Sequence, residues 1–214
     1  MTNSAALVPP GTAFRLLRDG LVGSRVIVRL WADSDGDALF TAIDTAKAHL
    51  KPWMDWVDRH QEVADTRDYI TRTLLEFTRR ETISLGIFDR ADNRTVLGAT
   101  GYHDINWTIP SFEIGYWATQ STEGRGYISE AVALLTDFAF IEFAANRVSI
   151  HCDPHNTRSK AVAERLGYQL EGRLRNIARN PHGTLRESLI FAMIPGDRAT
   201  PALGTVGNEQ RVEH

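Results

Sequence analysis

Between a strand-like run and a long apolar stretch, the chain reads QSTEGRGYISEA, Gln120 to Ala131. Glycines at 124 and 126 bracket Arg125 immediately before the apolar run. A strand ending near Ala118 and a helix beginning near Gly126 would leave the first-turn N–H groups of that helix without internal partners and with a partial positive charge. Gly124 and Gly126 allow positive φ and a close backbone approach, and Arg125 adds a full charge. The stretch therefore has the makings of an anion site, and phosphate or pyrophosphate is the natural anion. It is not a Walker loop, having no GKS or GKT. It is not GxGxxG either, because position 129 is serine. A plain glycine turn leading into a core helix would use the same letters, so on these residues alone both readings stand. The helix itself carries apolar residues nearly all round (Tyr127, Ile128, Val132, Leu135, Phe138, Ile141). Its side chains are packing, and its amino end is the candidate site.

The 214 residues suffice for one domain with a sizeable core, and 43% are apolar. The net charge of −3 is made of mixed signs without a long basic run, which argues against bulk nucleic-acid binding. No window reaches the ~18 apolar residues of a membrane span, and the start lacks the pattern of a signal peptide. The one cysteine, Cys152, excludes an intrachain disulfide and fits a reducing cytoplasm. Residues 1–12 and 196–214 read as flexible tails around a single domain over 13–195.

Along that domain, Arg25–Trp31 reads as a strand. Ser34, with Asp37 three residues on, reads as a cap for a helix carrying Leu39, Ile43, Ala46 and Leu50. A loop with Trp53 and Trp56 leads to a second helix over Thr66–Arg79. Thr82–Asp89 and Thr95–Ile105 form a hairpin about RADNR, and Phe112–Ala118 extends the meander. After the helix from Gly126 come a strand over Arg147–Asp153, a short helix over Asn156–Leu166 stopped by Gly167, and two closing strands. The order βααβββαβαββ predicts a mixed α+β (α/β) fold with one sheet covered by helices.

Three stretches taken together, IGYW, EGRGYISEA and the N-x-x-S-x-x-V-x-E-R-L-G-Y run from Asn156 to Tyr168, resemble the GNAT superfamily of N-acetyltransferases. The closer likeness is to its RimJ/RimL branch, which acetylates ribosomal-protein N-termini. The resemblance spans about residues 25–195 and is strongest from Phe112 to Gly172. It implies a single twisted mixed sheet whose two central parallel strands, Phe112–Ala118 and Arg147–Cys152, splay apart to admit acetyl-CoA. It assigns the donor site to Ile114, Gly115, Tyr116 and Trp117 on the strand and to Thr122, Glu123, Gly124, Arg125 and Gly126 in the loop. Tyr127 and Ile128 at the helix start, with Asn156 and Ser159, complete it. One departure stands out: the family's leading Gln or Arg of the pyrophosphate loop falls on Ser121, with Gln120 one residue early.

The implied reaction is direct attack of a primary amine on the thioester in a ternary complex. It needs a neutral amine, an oxyanion partner and a proton for the leaving thiolate. Ser159, in the first turn of a helix capped by Asn156, is the proton donor by resemblance; a solvated helix residue is the alternative. Glu113 is the candidate base, directly or through water, since Glu113, Gly115 and Trp117 share one strand face. An ion pair with a neighbouring arginine is its rival, and His103 and Asp104 are reserve bases. Backbone N–H groups over Gly115–Trp117 would meet the oxyanion, with Gly115 allowing close approach. Trp53, Trp56, Trp107, His103 and Glu113 are expected to border the acceptor, against plain packing for the tryptophans. Asp55 and Asp58 would attract a cationic acceptor. Cys152 is read as buried rather than nucleophilic, though near enough to the CoA sulfur for a mixed disulfide. In an extended strand His151 and His155 lie ~13 Å apart, so HCDPH is not read as a metal site.

These readings converge on a cytoplasmic, acetyl-CoA-dependent N-acetyltransferase acting on a protein N-terminal α-amine. It would engage no nucleic acid as such and no membrane, and a homodimer remains open. A small-molecule amine (antibiotic, polyamine or nucleotide-like toxin) is the alternative acceptor. A CoA-binding regulatory module without turnover is the reading from another class.

Overall fold

The computed structural model describes residues 11–179 and 183–198. Most of both predicted tails lies outside these residues. The chain is already helical from Gly11, however: α1 (Gly11–Asp19) precedes a two-residue strand β1 (Leu21–Val22). Ala13 and Leu17, one helical turn apart, are fully buried and pin α1 to the core. Then follow β2 (Val26–Leu30), α2 (Gly36–Leu50), α3 (Val63–Arg79), β3 (Ile83–Asp89), β4 (Val96–Asn106) and β5 (Ser111–Ala118). The second half comprises α4 (Tyr127–Glu142), β6 (Arg147–Cys152), α5 (Thr157–Arg165), β7 (Gln169–Arg179) and β8 (Leu185–Met193).

All eight strands form one sheet in the order β1-β2-β3-β4-β5-β6-β8-β7. Every described pair is antiparallel except β5 with β6. Strand β3 is buried over nearly its whole length because helices cover both faces of the sheet there, which is why it reads as an apolar run rather than an alternation. One face carries Val26, Val28, Leu85, Phe112 and Ile114 against α1 and α4; the other carries Trp31, Phe88 and Ala99 against α2 and α3. Helix α4 is buried almost all round, as its composition predicts. Phe138, 1% exposed, is one of its anchors, and burying such a ring contributes about 1.5–3 kcal/mol.

The predicted Ser34 cap is not formed. Residues 33–35 make a short 3-10 turn, and Asp35 instead accepts from the Ala32 N–H at 2.8 Å and pairs with Arg29 at 2.7 Å. Asp35, not Ser34, is the residue at the start of α2, and its carboxylate goes to the half-buried Arg29 guanidinium rather than to the helix amides. Among the described residues, no helix is long and apolar enough to cross a membrane.

The feature that positions the site is where the ladder stops. Strands β5 and β6 pair only over Ser111–Glu113 and Arg147–Ser149. Beyond Glu113, β5 keeps β4 on one side as far as Ala118, while its other edge has no strand register.

Candidate active site

Where β5 and β6 part, a cleft of about 1010 Å³ opens. Its floor is the open edge of β5, from Ile114 to Ala118. One wall is the loop Thr122–Gly126 with the start of α4, and another is the turn Asp153–Ser159 with α5. His49, Trp53 and Met54 reach it from the end of α2 and the following loop.

The loop has the conformation its glycines predict. Gly124 and Gly126 lie at φ +70° and +81°, in the left-handed region that favours glycine. Gly126 is the N-cap of α4 and has no side chain to cap with, so the first amides of a 16-residue helix are left for a ligand. The loop is braced from behind by a residue the sequence reading passed over. Arg25 donates to the Arg125 carbonyl at 2.7 Å, pairs with Glu130 at 3.0 Å and stacks over the Tyr127 ring at 5.0 Å. Arg125, Arg158 and Arg165 line the same cleft. Arg158 reaches Glu123 at 2.8 Å, and Glu123 also meets His49 at 2.8 Å, so this carboxylate joins α2 to α5 across the loop.

At the other wall, the Asn156 side chain accepts from the Ser159 N–H at 3.1 Å, the predicted cap with Ser159 at the third helical position. The Ser159 hydroxyl donates to the Tyr116 hydroxyl at 3.1 Å, and Tyr116 donates to the Ser159 carbonyl at 3.0 Å. Tyr116 therefore contributes a side chain as well as backbone. Burial raises its pKa well above the ordinary phenol value, so it stays protonated. Cys152 lines the same cleft, and burial pushes its thiol up, which leaves it a poor nucleophile at neutral pH.

On the opposite face of β5, Glu113 pairs with His151 at 3.0 Å, and both line the cleft. In sequence His151 stands out only beside His155, a pair not read as a metal site. Its register explains the omission: Glu113 lies opposite Ser149 in a parallel pair, which sets His151 two residues on along the same face. The carboxylate hydrogen-bonded to it raises the His151 pKa above the ordinary imidazole value, against partial desolvation. His155 pairs instead with Asp153, and no group of three metal-ligating side chains occurs among the described residues.

Of the residues expected to border the acceptor, Trp53 and Glu113 line the cleft, and Trp56, Trp107 and His103 do not. Trp107 packs, partly buried, against the main core, its ring on Phe112 and Phe143 and its Nε1 donating to the Arg80 carbonyl at 2.9 Å. Trp56 packs behind the wall on Trp117 and His60, with centroids at 5.9 and 5.7 Å. The apolar mass of these two rings found partners in the fold rather than a ligand. His103 sits opposite Glu113 on β4, and a β-carbon added at Gly115 would lie 3.0 Å from its ring. The space left by Gly115 thus admits the His103 ring on one face of the strand, while Gly115 itself lines the cleft. Asp104 follows at φ +44°, where a bulge interrupts the pairing of β4 with β5. Asp58 is tied to Lys51 at 2.9 Å, and neither Asp55 nor Asp58 lines the cleft.

Residues 25–169 match the profile described as "Acetyltransferase (GNAT) domain", which covers more than half of the chain. The chain belongs to the GNAT acetyltransferase family. This GNAT chain is 28% identical over 144 residues to the ribosomal-protein-serine acetyltransferase of Escherichia coli (strain K12), covering 67% of the chain and 79% of that relative. Its fold is similar to that of RimL, a ribosomal L7/L12 α-N-protein acetyltransferase solved with coenzyme A in a disulfide to a cysteine. That likeness has TM-score 0.75 and 24% identity, over 81% of this chain and 96% of the other. It is equally similar in fold to the microcin C7 self-immunity acetyltransferase MccE, solved with acetyl-CoA and AMP, at TM-score 0.75 and 20% identity over 80% and 93% of the two chains. The splayed β5–β6 pair and the glycine loop are thus parts of a GNAT acetyltransferase.

Proposed function

We propose that this enzyme transfers the acetyl group of acetyl-CoA to the N-terminal α-amine of a protein in the cytoplasm. The observation that carries the reading is that the anion cradle at Gly124–Gly126 and the Asn156–Ser159 turn share one cleft along the unpaired edge of β5. The residues fit a nucleotide thioester. First-turn amides of α4 with Arg125, Arg158 and Arg165 suit a diphosphate, and the strand edge at residues 114–118 suits the amide groups of the pantetheine arm. The donor substrate supplies the activated acetyl group, and the chain supplies position and proton traffic. The loop and strand edge hold the donor, and amides near Gly115–Trp117 face the developing oxyanion. Glu113 places negative charge on the acceptor side, and the Ser159 hydroxyl gives its proton to the departing sulfur.

The α-amine is favoured because relatives are named for ribosomal-protein acetylation; Glu113, which lines the cleft and pairs with His151 rather than with an arginine or lysine, supplies the negative charge on the acceptor side. A second reading, a small-molecule amine, is supported by the apolar wall of Trp53, Met54 and Trp117 and by the fold shared with MccE. A mass-spectrometric screen decides between them. The full chain is incubated with acetyl-CoA, peptides beginning with Ser, Ala or Met, polyamines and amino-bearing nucleosides. Acetylated peptide α-amines are expected. Product on small amines alone would select the second reading, and coenzyme A binding without product from any amine would sink both.

A further inference from the structure

We propose that His151 is the proton acceptor of the transfer and that Glu113 is a positioning residue that holds the His151 ring, an inference that rests on the acetyl-transfer reading above. A carboxylate oxygen can only accept, so the 3.0 Å contact between Glu113 Oε2 and His151 Nδ1 places the ring proton on Nδ1. Nε2 then keeps its lone pair. A carboxylate that fixes one ring nitrogen while the other takes a proton is the arrangement that hydrolytic triads use. Both residues line the cleft, and both stand on the strands whose separation creates it.

The groups around His151 are accounted for. From β5 it meets Glu113, and from β4 it feels Asp104, with His103 lying opposite Glu113. On its own strand Arg147 opposes protonation, and its β8 partner is the uncharged Ile190. Asp153 and Arg186, paired at 3.1 Å, line the same cleft. The net effect raises the His151 pKa above its ordinary value of 6.5, toward the working pH of a base.

The step balances. The amine nitrogen bonds to the acetyl carbon, its N–H bond breaks and the proton passes to His151 Nε2. The C–S bond breaks, and the sulfur takes the Ser159 proton. After product release His151 returns its proton to Ser159 through solvent. Such a base suits an amine that is already partly neutral. At pH 7 about 300-fold more of an α-amine than of a lysine side chain is neutral, so peptides with a free α-amine should outpace lysine acceptors.

The test measures kcat/KM against pH for wild type, His151→Gln and Glu113→Gln on the best amine of the screen, with coenzyme A affinity by calorimetry as the check of folding. His151→Gln should lose about 100-fold or more and the part of the acidic limb that the amine's own titration does not supply, with coenzyme A affinity unchanged. Imidazole should restore part of the rate in His151→Ala. Glu113→Gln should move the limb to lower pH, together with the His151 Cε1 titration followed by NMR. An unaltered acidic limb in His151→Gln, or a His151 titration indifferent to Glu113→Gln, would overturn the proposal. Absence of turnover by wild type on every amine would overturn the acetyl-transfer reading itself.

Discussion

At the scale of single residues, two hydroxyl groups meet where the central strands separate. Ser159 and Tyr116 exchange hydrogen bonds of 3.1 and 3.0 Å. If Ser159 protonates the leaving thiolate, Ser159→Ala should lower kcat by about 100-fold and leave acetyl-CoA affinity within a factor of two or so, read by steady-state kinetics and calorimetry. Tyr116→Phe keeps the ring and removes both bonds, so a smaller loss of kcat, about 10-fold, should follow. Equal kcat in Ser159→Ala and wild type would remove Ser159 from the chemistry. The tryptophans give a contrasting test. Trp107→Ala removes a half-buried ring packed on Phe14, Phe112 and Phe143 and should cost about 1–3 kcal/mol of stability, with the acceptor KM unchanged. Trp53→Ala should raise that KM with little change in melting temperature. In sequence these residues are indistinguishable, because an aromatic ring on a loop carries no mark of which surface will cover it. His151 was hidden for a different reason: its partner Glu113 is 38 positions away, and only the parallel register brings them together.

At the scale of elements, the loop into α4 was legible because its requirement is local. Positive φ at two positions and free amides at a helix start are written in the residues themselves, and the structure realises both. The Asn156 cap was legible on the same ground. Helix α1 was not. Its nine residues are amphipathic, but a helix that short owes its stability to tertiary contact, here the burial of Ala13 and Leu17. The brace from Arg25 was equally invisible, since it joins the entry of β2 to a loop 100 residues on. The loop geometry makes its own prediction. Gly126→Ala forces a β-carbon into the left-handed region, at about 1–2 kcal/mol, and places it 3.3 Å from the Arg25 guanidinium. Weakening of acetyl-CoA binding by about 10-fold, with kcat at saturation near wild type, is the expected result. Gly124→Ala meets nothing within 4 Å, so it isolates the backbone cost. Full acetyl-CoA affinity in both variants would mean that the loop does not cradle the donor.

At the scale of the whole molecule, the sheet is closed on one side of β5 and open on the other. Strands β2 to β5 are knit by long antiparallel ladders with one bulge in each of β3–β4 and β4–β5, whereas β5 and β6 share only three paired positions each. The molecule thus holds a set of strand-edge groups in water that a ligand, not the chain, is shaped to satisfy. The element order shows that two parallel strands are joined through α4, but not that their pairing stops at Glu113 and Ser149. That is why the cleft's existence came from resemblance and its dimensions from the structure. A donor that completes the edge should stabilise the fold by mass action: about 2.7 kcal/mol at 100 times Kd, or a rise in melting temperature of about 5–10 °C for a chain of this size. The location of the gain is the sharper test. Hydrogen exchange with and without coenzyme A should slow at residues 114–118, 123–128 and 156–159, while the β2–β3 ladder, already complete, should exchange at an unchanged rate. Protection spread evenly over the sheet, or confined to β2 and β3, would place the ligand somewhere other than the opening between β5 and β6.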